Sequence, residues 1–212
     1  MDSLMQIVQL GASDYVTTPW KNGGGKTTQL AIEPPGVTLV EPFLWRMSKA
    51  YVNASGPFSA FPGYERHIIQ LTGGRMRLDH GVHGTADLAI EVPHVFSGDW
   101  PTYGSLHGDS ASDLNLMVRR DDAKGHTEVC RLRPSETLTK DVASAASILV
   151  VLSGSMLATA RSSFTLGPDD CLIMRRAPSG KVGEGAAVKL GRIVLSAVES
   201  VTCVWTDIAF TK

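Results

Sequence analysis

The sequence predicts an all-β protein built as two similar halves, and three observations carry that expectation. Short apolar or alternating runs are separated by Gly, Pro, Asn and Asp, few stretches hold a helical period for three turns, and a weak repeat relates the halves. Taken in order, the runs predict strands over 6–10, 28–33, 43–52, 67–72, 75–79, 88–92, 114–119 and 128–133. The second half continues with 146–152, 155–160, 171–175, 187–195 and 201–208. Many short strands at turn-punctuated spacing point to a sandwich or barrel.

The repeat emerges when IIQLTGGRMRLD at 68–79 is laid over LVVLSGSMLATA at 149–160. Leu71 and Gly73 then fall on Leu152 and Gly154 at one common offset. Each copy is an apolar strand entering a glycine turn and leaving as another strand. A later pair, FSGDW and GPDDC, sets Asp99 opposite Asp170 at a shorter offset, so the first half carries extra residues, placed in the loop 80–87.

Composition narrows the function classes. With 43% apolar and 19% charged residues over 212 positions, the chain has a globular balance and no tract that would stay disordered. Net charge is −1 and the basic residues are scattered, which argues against nucleic acid or an anionic membrane as partner. No run is long enough to span a bilayer, and MDSLMQIVQLGAS lacks the basic and apolar regions of a signal peptide, so a cytoplasmic location is expected. Cys130, Cys171 and Cys203 are widely spaced in strand-like contexts and are expected to be buried structural thiols.

One motif invites a nucleotide-binding reading and fails. NGGGKTT at 22–28 contains Gly25-Lys26-Thr27, but a phosphate loop needs glycine where this chain has Trp20. It also needs a buried strand before it and a helix after it, and neither VTTPW nor TTQLAIEPP supplies that context. What remains is a glycine-rich turn.

Two strands and one loop carry the remaining chemistry. FLWRMSKAYV at 43–52 sets Trp45, Met47 and Lys49 on one face and Arg46, Ser48 and Ala50 on the other. DLNLMVR at 113–119 sets Leu114, Leu116 and Val118 opposite Asp113, Asn115, Met117 and Arg119. That polar row fits either a solvent-facing sheet surface or the mouth of a barrel, where Arg46 or Arg119 would offer paired N–H donors to a carboxylate. GPFSAFPGYER at 56–66 is a rigid aromatic loop, a clamp over a barrel or a structural corner, with Arg66 entering the next strand.

Taken together, WKNGGGKT, FLWRMSKAYV, GPFSAFPGYER, LTGGRMRL, FSGD and DLNLM resemble the HutD/Ves family, in order, over roughly the first 120 residues. The family is a double-cupin group associated with histidine utilisation in bacteria. The resemblance implies a double-stranded β-helix, bicupin fold, with a ligand pocket in an N-terminal barrel over 1–125 and a degenerate cupin-like barrel over 126–212. It also implies a small acidic ligand of the formylglutamate, formiminoglutamate or urocanate type, bound to modulate the pathway. Carried onto this sequence, it places Lys21, Asn22, Arg46, Ser48, Arg66, Asp113, Asn115 and Arg119 at or near the pocket.

Metal-dependent cupins use an H-x-H pair, a nearby Glu and a later His, and no two histidines here stand as H-x-H. His80 and His83, in DHGVHG, are expected to be a solvated loop pair, and no histidine follows His126. No serine lies in a G-x-S-x-G elbow and no cysteine has an evident histidine partner. The sequence therefore favours a non-enzymatic regulator that binds a small anionic metabolite without metal or cofactor. Two alternatives stay open: a cupin-type isomerase or hydrolase using Asp113, and a scaffold for another protein. Homo-oligomerisation through an exposed sheet edge is also open.

Overall fold

In the computed structural model, which describes residues 5–143, 145–176 and 190–211, every element of more than three residues is a β-strand. The chain divides into two compact units, Tyr15–Asp121 and Met1–Asp14 with Asp122–Lys212. Strand β1 (Met5–Leu10), expected in the first half, pairs antiparallel with a strand near the other end of the chain and belongs to the second unit.

The Tyr15–Asp121 unit contains β2 (Val16–Pro19), β3 (Gly25–Glu33), β4 (Trp45–Val52), β5 (Gly56–Pro57), β6 (Tyr64–Asp79), β7 (Thr85–Asp87), β8 (Pro93–Ser97) and β9 (Tyr103–Arg119). They form one eight-stranded sheet in the order β2-β3-β4-β9-β6-β7, with β5 on β9 and β8 on β6. The second unit adds β10 (Ala123–Leu132), β11 (Thr137–Val142), β12 (Ala146–Ser153), β13 (Met156–Thr159), β14 (Ser163–Leu166), β15 (Cys171–Arg176), β16 (Gly191–Ala197) and β17 (Val201–Phe210). Its sheets run β1-β15-β12-β17-β10 and β11-β16-β13-β14, and one apolar cluster that includes Leu149, Leu172, Ile193, Leu195 and Trp205 joins them. Cys130 and Cys203 lie in that cluster, and all three cysteines are buried free thiols, as their apolar contexts predict. The first three residues of the strand expected over 187–195 lie outside the described residues.

The two strands expected over 67–72 and 75–79 are one strand, β6, bent at the glycines between them. Gly73 has φ +94°, and a Cβ there would lie 2.2 Å from the carbonyl oxygen of Ser110 on β9. Only glycine lets the strands approach this closely at the bend, and pairing with β9 resumes on both sides. Gly154 repeats the device in the second unit, with φ +77° and a Cβ position 2.1 Å from the Ser200 carbonyl oxygen. The later landmarks also correspond: Asp99 Oδ1 accepts from the Gly63 amide at 2.9 Å, and Asp170 Oδ2 accepts from the Gly167 amide at 2.9 Å.

The strand expected over 88–92 is not formed. Leu88 is buried, but Ile90 and Val92 are half exposed and Glu91 turns the chain with φ 58°. The strand begins after that turn, at Pro93, where the missing proline N–H removes no ladder bond.

Candidate functional site

The polar row of β9 is not a wet face. From Asp113 to Val118 every residue is buried, so both faces of the strand are covered. β4 is the same, with Trp45 and Met47 buried on one face and Arg46 and Ser48 on the other. Asp113 is 1% exposed, Asn115 5%, Arg66 5% and Arg46 7%. A buried charge is tolerated only with partners, so these side chains must find them inside the unit.

Strand register brings them together. Gln29 on β3 pairs with Ser48 on β4, Ser48 with Asn115 on β9, Asn115 with Ile68 on β6, and Ile68 with His94 on β8. One step along, Arg46, Met117, Arg66 and Phe96 form the next row; on the other side Ala50, Asp113 and Gln70 form a third. Residues paired across neighbouring strands point to one face, so a single polar interior gathers side chains from five strands.

Within it, Arg66 Nη2 donates to Asn115 Oδ1 at 3.1 Å, and Asn115 Nδ2 donates to Asp113 Oδ1. The amide thus turns its acceptor to the cation and its donor to the carboxyl. Arg66 Nη1 donates to the Ser59 carbonyl at 3.3 Å, and the guanidinium lies over three rings, with Cζ 5.0 Å from Phe96, 5.2 Å from Phe58 and 5.8 Å from Phe61. The aromatic loop at 56–66 therefore walls the cation as well as forming a corner. In this interior the buried Arg66 Nε and Asp113 Oδ2 lack a hydrogen-bond partner among the described residues. Arg46 Nε donates to Gln29 Oε1 at 2.9 Å, and its terminal nitrogens donate to no described residue.

Burial dominates the electrostatics. It lowers Arg46 to about 10, and it lowers Arg66 to about 10 against the attraction of Asp113, with Arg46 adding a repulsion. Burial likewise raises Asp113 to about 7, against the pull of Arg66 and the bond from Asn115. The interior thus sets two guanidinium cations against one carboxyl that burial drives toward its neutral form. Its net charge is positive.

Of the residues expected from sequence, Arg46, Ser48, Arg66, Asp113 and Asn115 meet in this interior. Lys21 and Asn22 lie exposed in the turn between β2 and β3, where Asn22 Oδ1 accepts from the Gly24 amide at 3.0 Å. Arg119 closes β9 opposite Tyr64, beyond Met117, which packs with Ile32 and Phe43 in an apolar cluster at that end.

Sequence reasoning missed Gln29, Gln70, His94 and His80. Gln70 is 1% exposed and caps the bend of β6, donating to the Gly74 carbonyl at 2.6 Å. His80 is not half of a solvated pair: it is 2% exposed, bonded to Thr102 at 2.9 Å and to His94 at 3.1 Å, whereas His83 is exposed and stacks on Trp100. The loop around His80 folds inward because Trp100 and Phe96 pack on its ring, contacts that the local glycine-rich sequence does not announce. Among the described residues no group of three or more His, Cys, Asp or Glu side chains could hold a metal ion, and no helix is long and apolar enough to cross a membrane.

The HutD family matches residues 12–189 of this sequence. The chain belongs to the HutD family. The protein Ves of Citrobacter koseri is 39% identical over 112 residues, covering 52% of this chain and 56% of Ves. An uncharacterised Pseudomonas putida protein from the region 3′ of hutC is 38% identical over 114 residues, 54% of this chain and 59% of its own length. The match thus spans little more than half of each of these relatives. A conserved protein of unknown function from Pseudomonas aeruginosa PAO1 superimposes with a TM-score of 0.82 at 26% identity, covering 96% of this chain and 99% of that one. HutD from Pseudomonas fluorescens SBW25 shares the fold with a TM-score of 0.72 at 24% identity, over 98% and 100% of the two chains. A fold of cupin type is shared with the Escherichia coli pirin YhhW, at a TM-score of 0.64 and 9% identity over 95% and 98% of the chains.

Proposed function

We propose that this protein is a non-enzymatic bicupin regulator, with two cupin-like barrels in one chain. The polar interior of its Tyr15–Asp121 unit binds a small anionic metabolite of the formylglutamate, formiminoglutamate or urocanate type, and binding modulates histidine utilisation. The observation that carries the reading is the buried Arg66–Asn115–Asp113 chain beside Arg46, in which Arg66 Nε lacks a partner and the Arg46 terminal nitrogens are free to donate. Guanidinium groups with open N–H donors in a low-dielectric interior recognise a carboxylate by paired, charge-assisted bonds. The hutC-adjacent relative supports the pathway, and the family supports the barrels. The protein acts in the cytoplasm, needs no cofactor, and passes the signal to a downstream partner.

Calorimetry with formylglutamate, formiminoglutamate, urocanate and histidine tests this reading. Saturable heat from one of the acids, lost in Arg66→Ala, is the expected result. No heat from any of them at millimolar concentration overturns it.

A further inference from the structure

The polar interior continues past Phe96 into a histidine pair to which anion binding gives no task. The Phe96 ring is 5.7 Å from that of His94 and 5.0 Å from the Arg66 guanidinium, so the pair adjoins the cation. His80 and His94 stack with ring centroids 5.4 Å apart, and their Nε2 atoms are 3.1 Å apart.

The hydrogen-bond chain favours one arrangement of the protons, the one that lets the Thr102 hydroxyl satisfy both of its neighbours. The Thr102 hydroxyl donates to the Trp100 carbonyl at 3.2 Å, so its oxygen is left to accept from His80 Nδ1–H at 2.9 Å. A neutral His80 carrying its proton on Nδ1 has a bare Nε2. His94 must therefore donate its Nε2–H to that nitrogen, and neutral His94 is left with a lone pair on Nδ1. No described residue donates to that lone pair. Burial lowers the pKa of both rings, and His94, His83 and Arg66 lower His80 further while Asp79 opposes them. The pair stays neutral at physiological pH, and the acceptor stays open.

We propose that His94, oriented by His80 and Thr102, accepts a hydrogen bond from an N–H group of the bound ligand. The feature this residue reads is thereby an N–H donor beside the carboxylate, which N-acylated and N-formimino amino acids and imidazole acids all present. This inference rests on the anion-binding reading of the same interior. The arginines take the carboxylate, and His94 rejects a group that presents only lone pairs, because two acceptors facing each other beneath a bound ligand that excludes water both go unsatisfied. Thr102 and His80 are positioning residues: they set the tautomer of His94.

Two measurements test it. In the free protein, long-range 1H–15N correlation of the imidazole rings reads the tautomers, with Nδ1–H expected on His80 and Nε2–H on His94. A proton on Nδ1 of neutral His94 overturns the proposal. Calorimetry then compares N-formyl-L-glutamate with its N-methylated counterpart, which keeps both carboxylates and lacks the N–H. Methylation should weaken binding roughly tenfold, the worth of one hydrogen bond. Discrimination should vanish in His94→Phe, which keeps a ring but offers no lone pair, and shrink in Thr102→Val, where the His80 tautomer also shifts. Equal affinity for the two compounds overturns this inference and leaves anion binding standing, as does full discrimination in His94→Phe. No heat from formylglutamate, formiminoglutamate, urocanate or histidine overturns both readings.

Discussion

Replacing Asp113 by Asn should remove a pH dependence of stability that the fold imposes on itself. Burial holds the Asp113 carboxyl up at about 7, whereas in the unfolded chain it titrates at about 3.9. The sign follows from which state binds the proton: between those values the folded protein keeps it and the unfolded chain does not. Stability from this group is therefore complete below about pH 4, falls as pH rises toward 7, and levels off above that. The gap between about 3.9 unfolded and about 7 folded corresponds to about 4 kcal/mol in total, and about 2–3 kcal/mol of it is lost between pH 5 and pH 8. Asn is nearly isosteric, still accepts from Asn115, and does not titrate. Urea unfolding of the wild type and Asp113→Asn at pH 5 and pH 8 measures the difference directly. All other titrating groups are common to both proteins, so the wild type should lose about 2–3 kcal/mol more than the variant across this range. Parallel curves, agreeing within about 0.5 kcal/mol, would refute the reasoning and mean that Arg66 compensates the buried carboxylate in full.

The bend glycines should be intolerant of a methyl group: Gly73→Ala and Gly154→Ala each force a Cβ to within 2.2 Å and 2.1 Å of a backbone carbonyl at positive φ. Each should cost about 2–4 kcal/mol in urea unfolding, whereas Gly36→Ala, also at positive φ but with nothing near its Cβ position, should cost about 1 kcal/mol. The two candidate arginines at one end of the polar row, Arg46 opposite Met117 and Arg119 one step of the row farther out, should separate cleanly by calorimetry. Arg46→Ala should weaken carboxylate binding roughly tenfold to a hundredfold, and Arg119→Ala should leave it within about twofold, because Arg119 stands beyond the Met117 cluster.

The pairing of Gly73 with Gly154 in the repeat shows what sequence order alone can carry. A glycine between two apolar runs signals a backbone requirement, and local backbone geometry is encoded locally; both residues prove to have positive φ and no room for a Cβ. The all-β class and the burial of the three cysteines were legible on the same ground, since alternation and apolar context are properties of neighbouring residues.

The site was legible only in part. Arg46, Ser48, Asp113 and Asn115 stand out as polar positions on alternating strands, yet alternation cannot distinguish a face covered by water from one covered by protein. That distinction is made by β3, β6 and β8, which reach the same row from other parts of the chain. His80 illustrates the limit most sharply, because a glycine-rich loop reads as solvated until Phe96, Trp100 and Thr102 are seen to enclose the ring. The sequence by itself determined which residues form strands, where the chain must bend, and which polar side chains share a strand face. Only the tertiary structure decided that this face is buried, that Arg66 reaches Asp113 through Asn115, and that two histidines fourteen positions apart share a hydrogen bond. Strand periodicity is set between adjacent residues, whereas burial and partner choice are set by strands that meet only after folding.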